Sequence, residues 1–325
     1  MEIKNIKKEF PIFKQKINGK SLVYLDSANS SQKPKVVIDK ISNFYETEFS
    51  NVGRSVHTLA VKATNRFEAT RDKVQKYLNA KQREEIIFTK GATEAINLVA
   101  TSYGKKYINK GDEILITELE HHSNYVPWNF LRTEKGAVIK FAQVNESGDV
   151  ELDEIKKHIT KKTKIIAITH ISNVTGAVLP ITKIVDLAKE KNIPVLIDGT
   201  QGAPHLKLDM QELDCDFYVI SCHKIYGPNG LGILYGKKKW LDILPPYQGG
   251  GGMIGEVKKE NISYAESPTK FEAGTMQTAE VVAFSESIKL VEKLGLDKIS
   301  EHENDILNYG LEKLKKNNSI KLVGN

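Results

Sequence analysis

The chain has 325 residues, 40% of them hydrophobic and 27% charged, with a formal net charge of +6; such a chain is long enough for one large core and a smaller unit. Only five of its 47 cationic residues are arginines, and the lysines are interleaved with Asp and Glu along the whole length, which reads as a solvated surface and argues against a nucleic-acid footprint. Two cysteines do not make a disulfide framework and point to a reducing cytoplasm, the charged start Met1–Phe10 lacks the apolar core of a signal peptide, and no apolar run is long enough for a membrane span.

In chain order, Ile3, Ile6 and Phe10 lie at helical spacing before Pro11. Leu22–Asp26 reads as a short strand, followed by a polar loop from Ser27 to Lys33. Pro34 opens a helix of roughly fifteen residues, with Val37, Ile41, Phe44 and Tyr45 on one face. Residues 51–58 form a loop, and Ala60–Leu78 a long amphipathic helix. From residue 85 strands and helices alternate. Strands are expected over Glu85–Thr89, Glu113–Thr117, Val138–Ala142, Thr163–Thr169 and Pro194–Asp198, with helices between them. This is the pattern of βαβ units and a largely parallel sheet. The continuous apolar run Lys164–Ile168 suits a strand covered on both faces. A further strand precedes Ser221 and another ends near Tyr235. Glycine-rich loops follow at 248–252 and 270–275, then two helices over about 278–294 and 297–316. Ser319–Asn325 reads as a last strand.

In open α/β sheets, ligands bind beyond the carboxyl ends of the strands, so the polar residues there are the candidates. Gly91-Ala92-Thr93 follows a strand and opens a helix; it is either a plain helix start or a phosphate seat. Glu120-His121-His122-Ser123-Asn124 follows another strand. Its adjacent histidines lack metal-site spacing, but one ring could stack on a planar cofactor. Asp198 ends a buried strand, where a carboxylate needs a partner; it either caps a loop or pairs with a protonated ring nitrogen. Lys224, one βαβ step further on, lies between Ser221, His223 and a glycine turn, a setting for a reactive amine. An Asp and a Lys on neighbouring strand ends are what pyridoxal 5′-phosphate chemistry uses: the Asp keeps the ring electron-accepting and the Lys forms the Schiff base.

From about residue 10 onward the chain resembles the SUF-type cysteine desulfurases of the class V aminotransferase family. The motifs carrying the resemblance are Tyr24-Leu25-Asp26-Ser27-Ala28, Arg54-Ser55-Val56-His57-Thr58, Gly91-Ala92-Thr93-Glu94, Glu120-His121-His122-Ser123-Asn124, Thr169–Val174, Asp198-Gly199-Thr200-Gln201, Ser221-Cys222-His223-Lys224 and Phe271-Glu272-Ala273-Gly274-Thr275. The resemblance implies a fold-type I α/β enzyme with a mostly parallel central sheet and helices on both faces. Residues 18–277 would form the large domain, and 1–17 with 278–325 an incomplete small α/β domain. It implies Lys224 as the cofactor lysine and proton carrier, Asp198 against the pyridine nitrogen, His121 on the ring and Gln201 on the ring hydroxyl. Ala92, Thr93, Ser221 and His223 would hold the phosphate, with Thr275 contributing from the partner subunit of a homodimer. His57 and Asn173 would lie near the substrate. Such enzymes convert L-cysteine to L-alanine and pass persulfide sulfur to an acceptor or scaffold protein of the SUF system for iron–sulfur cluster assembly.

The chain departs from the family in having Cys222 where glycine is usual and Thr200 where alanine is usual. The family's nucleophilic cysteine and carboxylate-binding arginine belong to an Arg-x-Gly-x-His-Cys-like stretch that does not occur here, and no arginine follows Arg132. Cys215 reads as a small core residue and Cys222 as facing protein. The expectation is therefore a truncated product or fragment that binds the cofactor without completing sulfur transfer. A selenocysteine lyase-like enzyme and a catalytically silent cofactor-binding dimer are the alternatives.

Overall fold

The structure, a computed structural model, describes residues 3–323 apart from Arg54. That arginine, and the last two residues of the expected terminal strand, lie outside the described residues.

The chain opens with two short 3₁₀ segments, Ile3–Glu9 and Pro11–Lys14, and a small hairpin of β1 (Lys16–Ile17) and β2 (Lys20–Ser21). The strand expected over Leu22–Asp26 does not form. Its apolar residues Val23 and Leu25 are 73% and 93% exposed, and the segment joins none of the sheets among the described residues. Helix α1 (Lys35–Asn43) runs into a wider π turn, Phe44–Glu48, which together make up the helix expected after Pro34. Helix α2 (Thr58–Tyr77) follows.

The central unit alternates as the sequence suggested: β3 (Ile86–Thr89), α3 (Ala92–Tyr107), β4 (Glu113–Thr117), α4 (Val126–Lys135), β5 (Val138–Ala142), α5 (Leu152–His158), β6 (Thr163–Thr169), α6 (Ile181–Lys189), β7 (Val195–Asp198), the short α7 (Met210–Leu213), β8 (Phe217–Ser221) and β9 (Gly232–Gly236). These strands form one seven-stranded sheet in the order β3-β9-β8-β7-β6-β4-β5. β9 runs antiparallel to both neighbours, and the pairs from β8 through to β5 are parallel. Alternate strand residues serve the two faces. Ile86, Phe88, Ile166, Ile168, Tyr218 and Ile220 pack with α2, α6 and α9 (Thr278–Leu294), whereas Ile87, Ile114, Ile116, Phe217 and Val219 pack with α3 and α4. Burial on both faces explains why the strands read as continuous apolar runs.

After α8 (Lys238–Ile243), an exposed hairpin of β10 (Ile254–Val257) and β11 (Ile262–Tyr264) leaves the body, and α10 (Leu296–Leu314) follows α9. Residues 319–323 adopt no regular structure, which corrects the terminal-strand expectation. They are apolar enough to read as a strand but have no neighbouring strand to bond.

Candidate active site

The register of the sheet brings the candidates together. Thr169 of β6 pairs with Asp198 of β7, and Asp198 with Val219 of β8. The turns that leave these strands therefore open at one edge. A cavity of about 210 Å³ lies there, lined by Ala92, Thr93, His121, Asn173, Asp198, Thr200, Gln201, Ser221, His223 and Lys224 among others. Ten residues from five separate stretches thus converge on one space.

Each is held by its own local geometry. Lys224 ends a single 3₁₀ turn, Cys222–Lys224, directly after β8. Burial lowers the pKa of its amine, and the charge of Asp198 acts in the opposite sense. Asp198 is 5% exposed; one carboxylate oxygen accepts from Thr200 N at 3.0 Å, and its backbone carbonyl accepts from His170 N. The turn after Asp198 passes so close to β8 that a Cβ on Gly199 would meet the Tyr218 ring at 1.9 Å. On the other side, Ala92 N donates to Ser221 Oγ at 2.9 Å, tying the start of α3 to β8. β9 supports the same loop: a Cβ on Gly232 would lie 2.4 Å from Gly91 Cα.

His121 Nδ1 accepts from Ser123 N at 3.1 Å, so its proton resides on Nε2. Ser123 Oγ in turn shares a 2.6 Å hydrogen bond with Thr93 Oγ1. Glu120, whose role sequence reasoning missed, anchors this loop. Its carboxylate accepts from Thr117 Oγ1, Asn124 Nδ2 and Thr169 N, joining β4, the loop and β6. Burial above all, with Asp198 adding to it, pushes Glu120 up to about 8 although the three donors pull the other way. Gln201 Nε2 donates to Ala28 O at 2.8 Å.

Two candidates lie elsewhere. His57 caps α2 by accepting from Ala60 N and does not line the cavity. Thr275 lines a separate hollow with Gly53, Glu68 and Gly274. A larger chamber of about 490 Å³ meets the cavity at Gln201 and Lys224 and is walled by Phe10, Phe13, Leu294 and Ile299. It also carries His205, paired with Glu303, and His302, but Lys224 and Asp198 meet in the smaller, polar cavity. The walls of the larger chamber combine the first fourteen residues and the last two helices with the loops at 27–32, 201–205 and 224–226, an approach that no local pattern reveals.

The cysteines are remote from solvent. Cys215 and Cys222 are both fully buried. Burial raises the Cys215 thiol to about 12 and the Cys222 thiol well above its ordinary value. Neither presents a thiolate.

A polar cavity at the carboxyl edge of a doubly covered, mostly parallel sheet, with a lysine and an aspartate on adjacent strand ends, defines the class of fold-type I pyridoxal phosphate enzymes. The comparisons agree. A model of the family described as aminotransferase class-V matches residues 23–325, and the chain belongs to that family. It is 43% identical over 323 residues to a protein named cysteine desulfurase from Synechococcus elongatus, covering 99% of this chain and 52% of the relative. It is 43% identical over 324 residues to a probable cysteine desulfurase from Halalkalibacterium halodurans, covering 100% of this chain and 80% of the relative. The chain therefore spans about half the length of the first of these relatives and four-fifths of the second. Among solved structures it superposes on the Escherichia coli cysteine desulfurase CsdA with a TM-score of 0.88 at 34% identity, over 98% of this chain and 78% of that one. It superposes on the apo cysteine desulfurase of Thermococcus onnurineus with a TM-score of 0.91 at 31% identity, over 97% and 77%.

Proposed function

We propose that the chain binds pyridoxal 5′-phosphate through Lys224 and is the cofactor-binding body of a cysteine desulfurase acting on L-cysteine. The observation that carries this reading is the convergence of Lys224 and Asp198 in one polar cavity, with the serine, threonine and histidine side chains of three other turns around it. The residues present fit the cofactor. Thr200 Oγ1 is buried with no hydrogen-bond partner, a condition that a polar ligand beside it relieves. The start of α3 offers backbone N–H groups and a positive dipole end for a phosphate.

When bound, the cofactor supplies an electron sink for bond cleavage at the substrate α-carbon. The chain's own residues do the rest. Burial favours the neutral, nucleophilic form of the Lys224 amine, which then moves the α-proton. Asp198 would pair with the ring nitrogen of the cofactor, and the His121 imidazole would stack on its ring. Gln201 holds the ring hydroxyl. Ala92, Thr93, Ser221 and His223 hold the phosphate. Asn173 and His57 lie toward the substrate, and the partner's Thr275 completes the phosphate seat of a homodimer. The sulfur acceptor in this reading is a scaffold or acceptor protein of the SUF system, and the compartment the cytoplasm. Among the described residues no helix is long and apolar enough to cross a membrane.

The two buried thiols favour a second reading for these 325 residues: a dimer that binds cofactor without turning over L-cysteine. Reconstitution with pyridoxal phosphate is expected to give a visible absorption band that Lys224→Ala removes. A band of equal strength in the variant would sink the assignment of Lys224. Robust release of sulfide and alanine from L-cysteine by this chain would sink the silent reading and place a competent thiol among Cys215 and Cys222.

A further inference from the structure

The loop Ser27–Lys33 has no role in the reading above, yet part of it is bound tightly to the lysine turn. The His223 carbonyl, one peptide unit before Lys224, accepts from three close donors, Ser31 N at 3.1 Å, Ser31 Oγ at 2.9 Å and Lys33 Nζ at 3.0 Å, with Ser30 Oγ a longer fourth at 3.5 Å. A carbonyl oxygen has two lone pairs, so three donors on one such group is a heavily determined position. Ser31 Oγ also accepts from Tyr226 N at 2.8 Å and so bridges both flanks of Lys224. Tyr226 itself sits at φ 60°, a left-handed conformation that persists for a bulky residue only where its surroundings impose it. Ser30 Oγ lies 3.1 Å from His223 Nδ1 and orients that ring. Lys33 Nζ also donates to Ser31 O at 2.6 Å. Among the described residues Lys33 makes no ion pair, so a half-buried ammonium is held by backbone carbonyls alone.

We propose that Ser30, Ser31 and Lys33 form a clamp that positions Lys224 and the His223 ring for the cofactor, with Lys33 as its cationic member. These are positioning residues: they act through the His223 carbonyl and imidazole and line up the groups that touch the ligand. Burial above all opposes protonation of His223, and the charges facing it, Lys33 from the clamp and Lys224 from its own turn, act in the same sense. The carboxylate of Asp198 acts on Lys224, where its charge opposes the effect of burial. The clamp thus does two things: it fixes the backbone from which the reactive amine extends, and it orients the His223 ring on Ser30, the Lys33 charge adding to the burial that disfavours protonation of that ring.

The inference rests on the cofactor reading, and the test separates the two. Lys33→Met, Lys33→Arg and Ser31→Ala are made in the full chain and compared with wild type. The first readout is pyridoxal phosphate affinity together with the visible circular dichroism of the bound cofactor, which reports its orientation. Lys33→Met and Ser31→Ala are expected to weaken affinity about tenfold and reduce the dichroic band, and Lys33→Arg to stay within about threefold. The second readout is the titration of the His223 ring by NMR in the cofactor-free protein. Its midpoint is expected to rise in Lys33→Met and to stay near wild type in Lys33→Arg. Wild-type affinity and dichroism in Lys33→Met, or an unmoved His223 midpoint, would overturn the clamp. A wild-type chain that shows no visible band overturns the cofactor reading instead, and the His223 titration still decides the clamp.

Discussion

The most consequential buried imidazole is His170, not one of those lining the cavity. It is 7% exposed, and its Nδ1 lies 2.8 Å from Tyr218 Oη, the ring that underlies the Asp198–Gln201 turn. Burial lowers its pKa to about 4. Below about pH 6.5 the unfolded chain takes up a proton that the folded chain refuses. The stability tied to a neutral His170 is therefore fully present above pH 6.5 and is lost as the pH falls from there toward 4. One such proton is worth about 1.4 kcal/mol per pH unit. Urea unfolding between pH 4 and 6.5 is expected to show a shallower pH dependence for His170→Gln than for wild type; identical slopes would sink this. The residue scale also shows what local reading can reach. Lys224 and Asp198 stand out because a charged side chain at the end of an apolar run has a cost that function must justify. Glu120, by contrast, looks like any acidic loop residue. Only its three donors, one of them from a strand 49 residues away, reveal it as an anchor.

Among the elements, the loop carrying Thr275 depends on one buried ion pair. Arg71 of α2 is 1% exposed and meets Glu272 with two parallel hydrogen bonds, at 2.7 and 2.8 Å. The same guanidinium lies over the Phe67 and Phe88 rings, and Glu272 also accepts from Phe88 N. Removing one partner leaves an uncompensated buried charge, so Arg71→Met is expected to cost roughly 3–5 kcal/mol. Arg71→Met combined with Glu272→Met is expected to recover much of that loss, because the buried carboxylate is gone and Glu68, the other partner of Arg71, is part-exposed and keeps Arg83. Denaturant unfolding of the singles and the double gives the coupling; additive losses would show that the pair is not the source. The central strands were legible because their apolar runs are paid back on both faces of one sheet. Leu22–Asp26 and 319–323 were misread for the converse reason: apolar spacing alone cannot say whether a neighbouring strand exists. The contact between Ser31 and His223, 192 residues apart, leaves no periodic trace at all.

At the scale of the molecule, the exposed apolar residues and the displaced site residues point the same way. Val23, Leu25, Val56 and Val174 are each more than 70% exposed, apolar groups that pairing with a second copy would bury. Thr275, which the family resemblance assigns to the phosphate of the opposite subunit, and His57, which it places near the substrate, lie outside the cavity of their own subunit. Both observations are met if two copies pair and Thr275 of one subunit reaches the cavity of the other. Sedimentation is then expected to give a dimer, and subunit mixing tests the geometry. A heterodimer of one Lys224→Ala subunit and one Thr275→Ala subunit has one site with both lesions. Its other site combines an intact Lys224 with the intact Thr275 of the opposite chain. Half the sites are therefore expected to hold pyridoxal phosphate with wild-type affinity, whereas the Thr275→Ala homodimer holds it about tenfold more weakly, as loss of a hydrogen bond to a charged group implies. If Thr275 served its own subunit, every site of the heterodimer would carry a lesion, and the affinity would not recover.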